Sequence, residues 1–321
     1  MAKQDQGHDA PGVTESDQPA RPVPKARCAV TGLLLGLANL VPGISGGTMV
    51  LIMGLYDEFI SSVADATRLK FTTRSVTLLV ILVGVAGATV VGLAGPLERL
   101  VRQHRLVMYA LFIGMTLGGV PLLVGMIRPV RRTSVITTVL GFALMIGIAA
   151  VPAEEPEAAE AEKAALDERV ADGSVSIEPA SVRDVFAGVL GMSAMVLPGI
   201  SGAYMLVLLG RYEQILAAIS MTKDYALSMG ESGDPGALRI LIPVSIGALL
   251  SLVCVTNLLK WFLRHHEKPT VGLLLGIVLG SVVMLWGKLG VDSSGDLAMA
   301  CFVLIVGFAL TVLLSRIGAR T

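Results

Sequence analysis

The apolar stretch from Ala38 to Tyr56 is interrupted at its centre by Pro42-Gly43-Ile44-Ser45-Gly46-Gly47, and the interruption returns 156 residues later as Pro198-Gly199-Ile200-Ser201-Gly202. At the same offset Met49, Gly54 and Tyr56 recur as Met205, Gly210 and Tyr212. No other feature narrows the possible folds as far. Proline removes a helix donor and glycine admits backbone angles that other residues resist, so each stretch reads as two short helical pieces joined at a break. A broken apolar segment at matching positions of two halves points to the binding site of a transporter.

The surroundings are those of a membrane protein. Hydrophobic residues make up 54% of the chain and charged residues 16%, and apolar runs of about 18–25 residues recur, each long enough to cross a ~30 Å hydrocarbon core. The expected fold class is an all-α polytopic membrane protein. Two homologous halves form inverted repeats, each a broken, re-entrant helical hairpin followed by three transmembrane helices. The first half covers 27–151, with its hairpin at 29–55 and spans near 75–95, 106–127 and 133–151. The second covers 183–315, with its hairpin at 184–210 and spans near 237–259, 270–287 and 297–315. Stretches at 56–74 and 211–236 read as helices lying on the membrane surface. Pro96 and Pro129 punctuate loops in the first half. Residues 1–26 form a polar tail expected to be disordered and cytoplasmic, without the basic start and cleavage site of a secretory signal. An acidic linker, 152–182, joins the halves, and 316–321 is a short tail. A second correspondence, at an offset of 162, pairs Arg102, His104 and Gly114-Met115-Thr116-Leu117-Gly118 with Arg264, His266 and Gly276-Ile277-Val278-Leu279-Gly280.

The orientation of the halves turns on the broken segments. A re-entrant hairpin leaves each half with three crossings and inverts the second copy; a full crossing gives four and keeps the copies parallel. Lys and Arg positions divide equally well under either arrangement and place both termini in the cytoplasm. The apolar pieces flanking Pro42, about 12 and 9 residues, are each too short to span, which favours the hairpin.

Ser45 and Ser201 stand where an N-cap belongs, and Gly46-Gly47 and Gly202-Ala203 leave the next amides uncovered. Free amides at a helix N-terminus attract anions, so two facing copies can cradle a phosphate or carboxylate. The competing reading is a kink with small residues for close packing. Asn39, Thr48, Tyr56, Tyr204 and Tyr212 are the nearest polar groups. Asp57 and Glu213 follow the tyrosines, either as gating or proton-coupling groups or as carboxylates marking helix ends. Arg102, His104, Arg264 and His266 form duplicated basic clusters suited to an anionic headgroup, or ordinary positive flanks. Cys28, Cys254 and Cys301 are isolated from one another and suggest packing residues. No catalytic constellation, metal-ligand spacing, cofactor motif, phosphate loop or nucleic-acid-binding pattern is present.

The residues Asn39-Leu40-Val41-Pro42-Gly43-Ile44-Ser45-Gly46-Gly47-Thr48 with Gly54-Leu55-Tyr56, and Pro198–Gly202 with Gly210-Arg211-Tyr212-Glu213, resemble the polyprenyl-phosphate transporters of the PopT type, over about residues 27–315. The resemblance implies translocation of undecaprenyl phosphate, or a related polyprenyl phosphate, across the cytoplasmic membrane, returning the lipid carrier after envelope polymers are built outside. It implies a headgroup site at the two Pro-Gly-Ile-Ser-Gly segments, with Pro42, Gly43, Ser45 and Gly46 in one and Pro198, Gly199, Ser201 and Gly202 in the other; the neighbouring Asn39, Gly47, Thr48 and Tyr204 complete the candidate binding residues. Ala203 departs from two-fold symmetry, and Arg211 offers a bidentate phosphate contact. The alternatives are a membrane polyprenyl-diphosphate phosphatase and a transporter or channel for a small anion.

Overall fold

A computed structural model describes residues 24–40, 45–151, 181–227, 235–291 and 293–320. The tail to residue 23, nearly all of the acidic linker, and Pro42 and Gly43 lie outside the described residues. The first half runs α1 (Lys25–Asn39), α2 (Gly46–Ile52), α3 (Tyr56–Thr67), α4 (Thr73–Gln103), α5 (Arg105–Met126) and α6 (Arg132–Ala149). The second repeats this order as α7 (Val182–Val196), α8 (Gly202–Leu208), α9 (Tyr212–Leu227), α10 (Leu238–His265), α11 (Glu267–Trp286) and α12 (Ser294–Arg320), with a 3-10 turn at Pro235–Ala237. No strand occurs among the described residues. Six helices, α4, α5, α6, α10, α11 and α12, are long and apolar enough to cross a membrane.

Both broken segments double back. α1 packs on α2, and α7 on α8. In the first, the Arg27 guanidinium donates to the Met53 carbonyl at 3.0 and 2.5 Å, tying the start of the hairpin to its end. In the second, Arg211, just past α8, sits 3.3 Å from Asp184 in the first turn of α7. Gly54 and Gly210 close the two hairpins at φ of 64° and 63°, the left-handed turn that glycine takes most readily.

The halves are interlaced. α1 packs along α4 and α7 along α10, each within its own half, but α5 packs against α12 and α11 against α6, each pair crossing between halves. A Cβ on Gly114 would collide with the Leu304 backbone of α12, and one on Gly276 with the Thr138 backbone of α6. The duplicated Gly-x-x-x-Gly runs are therefore contact faces, where missing side chains let helices approach closely. Burial separates the centre from the rim: 61% of the apolar windows of α5 and α11 is buried, against 17–22% for the other four spans. α2 is wedged between these two helices, with Val50 and Leu51 packed in one apolar cluster with Leu274 and Val278, and Met49 and Ile52 in another with Phe112 and Ile113.

The end of α4 differs from the sequence expectation. α4 continues through Pro96 and ends only at His104. The lost donor removes one rung of the ladder, and Leu97, 9% exposed in the cluster with Met108 and Phe112, keeps the next turn in place. His104 and His266 serve as junctions between consecutive spans, with φ/ψ of −129°/49° and −137°/50°. Their amides donate back to the Leu100 and Phe262 carbonyls, and their own carbonyls accept from the amides of Met108 and Thr270.

Candidate functional site

The two breaks meet. Three hydrogen bonds join the N-terminal turn of α2 and the start of α3 to the chain leaving α7. Ser45 Oγ donates to the Leu197 carbonyl at 3.1 Å. Tyr56 Oη donates to the Val196 carbonyl at 2.9 Å. The Gly199 amide donates to Thr48 Oγ1 at 3.0 Å. Val196 ends α7 and Leu197 turns extended at φ −83°, ψ 129°, so their carbonyls lose helical partners and take donors from the other half. Gly199 sits at φ +93° with the Ile277 carbonyl carbon and oxygen 3.1 Å from where a Cβ would stand. Only glycine meets both demands.

The serines, equivalent in sequence, behave differently. Ser201 is the N-cap of α8 and accepts from the Tyr204 amide, at a long 3.5 Å. Ser45 holds the N-cap position of α2 but makes no cap bond with its side chain; its hydroxyl is spent on Leu197. The expectation of two matching side-chain caps therefore fails at Ser45, because a buried carbonyl of the other half is a competing acceptor. The accompanying asymmetry is one of access. Every residue of α2, including Gly46, Gly47 and Thr48, is buried, whereas in α8 only Gly202 is.

The open side faces a cavity of about 460 Å³. Asn39, Ser201, Gly202 and Ala203 line its polar end, and Val90, Met192, Met195, Leu206, Val244 and Ala248 make its apolar wall. Asn39 ends α1 with its carboxamide within 2.9 Å of where a Gly46 Cβ would stand, so one residue lies against the first break and lines the cavity that reaches the second. This arrangement offers hydroxyl, carboxamide and helix-start amides at one end of an apolar slot, a combination suited to a small anionic group carried on a hydrocarbon chain.

The remaining residues singled out from the sequence distribute around this centre. Pro198 and Gly199 form the buried turn itself. Tyr204 is half-buried on α8. Arg211 is 5% exposed and holds Asp184, the Ser181 hydroxyl at 3.0 Å and Gln214; its guanidinium braces the hairpin base. Tyr212 opens α9 as Tyr56 opens α3. The side chains of Glu213 and Arg102 lie outside the described residues. His104, His266 and Arg264 are exposed, and none of the three lines the cavity at the breaks. His266 stands edge-on to Trp261 with ring centroids 5.7 Å apart.

Asp57 opens onto a second cavity, of about 220 Å³, with Ser61, Lys260, Arg264 and Glu267. Loss of surrounding water, followed by the charges of Glu267 and Glu58, raises its carboxyl above the usual range. Burial likewise pushes the Tyr56 phenol up, with Asp57 adding to it, so Tyr56 keeps its proton and remains a donor. Arg27, Asp184, Glu267 and the cavity methionines escaped the sequence reading. Ser181-Val182-Arg183-Asp184 did carry a readable sign: it is a capping box, with Asp184 Oδ2 accepting the Ser181 amide at 2.8 Å.

Comparison with known proteins gives this geometry its context. A protein of Vibrio cholerae named polyprenyl-phosphate transporter is 25% identical over 267 residues, spanning 79% of this chain and 75% of that one. A Staphylococcus aureus protein of the same name is 29% identical over 295 residues, spanning 90% of this chain and 95% of its own. No solved structure matches the chain. The profile of the VCA0040-like, undecaprenyl phosphate translocase-like family matches residues 35–298, taking in both breaks and five of the six spans, and ending in the first turns of the sixth. With most of its length matched, this chain belongs to the undecaprenyl phosphate translocase-like family.

Proposed function

We propose that this protein moves a polyprenyl phosphate, undecaprenyl phosphate among the candidates, between the leaflets of the cytoplasmic membrane and so recycles the carrier for envelope synthesis. The observation that carries the reading is the cavity at the meeting of the breaks, polar at Asn39 and Ser201 and apolar beyond. The phosphate sits at the polar end, against Asn39, the Ser201 hydroxyl and the Gly202–Ala203 amides. The prenyl chain leaves along Met192, Met195 and Val244. In the other half Ser45, Gly46, Gly47 and Thr48 provide the matching position, sealed in the described conformation, while Pro198 and Gly199 shape the turn between α7 and α8. The names of the relatives support a transporter over a phosphatase.

Each hairpin, in this reading, enters and leaves the same membrane face. The Arg27–Met53 and Arg211–Asp184 ties support this, because each joins the beginning of a hairpin to its end. Three crossings per half then invert the second copy. A cysteine placed in the 152–180 segment should react with a membrane-impermeant thiol reagent only from the face opposite the N-terminus; labelling from the same face overturns the inversion. Liposomes holding the purified chain should lose leaflet asymmetry of polyprenyl phosphate faster than empty liposomes, and equal rates refute the function.

A further inference from the structure

Asp57 and Glu267 come from different halves, at the first turns of α3 and α11, and line the same 220 Å³ cavity. The charges around them are largely spoken for. On α3, Glu58 pairs with Arg74 of α4 at 2.5 Å, and Asp65 pairs with Lys260 of α10 at 2.7 Å. Arg27 of α1 is turned to the Met53 carbonyl. From α10, Arg264 alone brings an uncommitted charge to the cavity wall, and His265 of the same helix stacks on Trp261 at 5.0 Å. The neighbouring surface from α5 is apolar, with Leu122 and Met126 beside Asp57 and Tyr56. Lys260 also lines the cavity but is held by Asp65, and His266 and Lys268, on either side of Glu267 in the sequence, are not in the lining, so two carboxylates face one guanidinium, an excess of one negative charge that one proton cancels.

The position of this pair relative to the breaks gives it a consequence. Tyr56 precedes Asp57 in the same helical turn, and its hydroxyl is one of the three bonds that hold the Val196–Gly199 strand of chain to the first half. A force on the Asp57 carboxylate is therefore a force on the Tyr56 clasp. With the proton bound, the two carboxyl groups share the cavity without net repulsion. With the proton lost, like charges push the turns apart and carry the phenol away from Val196.

We propose that Asp57 and Glu267 form a proton-binding pair that governs the Tyr56–Val196 clasp between the two breaks, closing it when protonated and releasing it when ionised. This rests on the reading of the breaks as the transport site and adds a coupling proton to it. The pair acts through Tyr56 and positions the break; it does not touch the transported lipid.

Hydrogen–deuterium exchange of the full chain in lipid nanodiscs, corrected for intrinsic rates, tests the proposal between pH 5 and pH 9. The peptide covering 196–201 should exchange about tenfold faster at the upper end, within the 5- to 150-fold range of ordinary coupling between sites. Asp57→Asn and, separately, Glu267→Gln should hold exchange at the slow, acid-side rate throughout, and Tyr56→Phe should keep it fast throughout. A flat wild-type profile, or either carboxyl variant retaining the wild-type profile, overturns the pair. Each carboxyl variant is accompanied by its melting curve, and failure of one to fold leaves the other to decide. Should the pH response hold while liposomes show no lipid movement, the transport reading falls and the proton pair stands.

Discussion

Gly199 and Gly210 provide a matched test of what holds the breaks together. Both occupy the left-handed region, at φ of 93° and 63°, but a Cβ on Gly199 would stand 2.9 Å from Ile277 Cγ2 and 3.1 Å from its carbonyl, whereas one on Gly210 would meet nothing within 4 Å. An alanine at either position costs about 1–2 kcal/mol for the conformation alone. At Gly199 the overlap with a buried backbone adds about 1–3 kcal/mol, because the Ile277 backbone is part of α11, the most buried span together with α5. The expectation is therefore about 1–2 kcal/mol for Gly210→Ala and about 2–5 kcal/mol for Gly199→Ala. At roughly 2 °C per kcal/mol, the low end suited to a long chain, the melting temperatures should fall by about 2–4 °C and 4–10 °C. Thermal unfolding in lipid nanodiscs reads both on one scale. The two chains should also differ in exchange at 196–201, where Gly199→Ala pulls its amide from Thr48 Oγ1 and Gly210→Ala leaves that bond alone. Equal melting shifts for the pair would refute the claim that the crowding against α11 fixes the turn.

Arg211→Met should destabilise the chain by about 3–5 kcal/mol, since it strands the buried Asp184 carboxylate, and Arg211→Met with Asp184→Leu should recover part of the loss in the same melting assay. Asp57 binds a proton more tightly when folded than when unfolded, so the folded state holds the excess proton between the ordinary carboxyl pKa and the raised one. Stability should then fall as pH rises through that window and level off above it, and Asp57→Asn should flatten this slope. Ser45→Ala should cost about 1–3 kcal/mol by leaving the Leu197 carbonyl short of a donor, against about 1 kcal/mol or less for Ser201→Ala, whose cap bond is long. Transport that survives unchanged in the Ser45→Ala, Ser201→Ala double variant would remove both hydroxyls from the headgroup site.

The spans and the breaks could be read from the sequence because they follow from composition and local chemistry: apolar length for the helices, proline and glycine for the interruptions. The duplication was visible for the same reason, as identity at a fixed spacing. What could not be read is how the copies differ. Ser45 and Ser201 share the sequence Pro-Gly-Ile-Ser-Gly, and nothing local says that one meets a carbonyl of the other half while the other borders a cavity. That distinction is made by tertiary neighbours, Leu197 in one case and the gap beside Asn39 in the other. Glu267 illustrates the same limit, since its pairing with Asp57 joins opposite halves. The Gly114 and Gly276 runs were seen as a repeat, but their partners, Leu304 and Thr138, lie on helices that their own sequence does not name.

The crossed pairing of α5 with α12 and of α6 with α11 means that neither half is a unit in its own right. Each would leave the face of its central span without the helix that covers it, so half a chain has a seam and no lining. Two copies of one such half, placed together, could cover each other in the way the two halves do now. The single chain has the plan of a dimer whose subunits were joined end to end. A cut within 152–180 should accordingly yield fragments that are unstable apart and regain their packing when co-expressed, a behaviour of partners in an assembly and not of neighbouring domains.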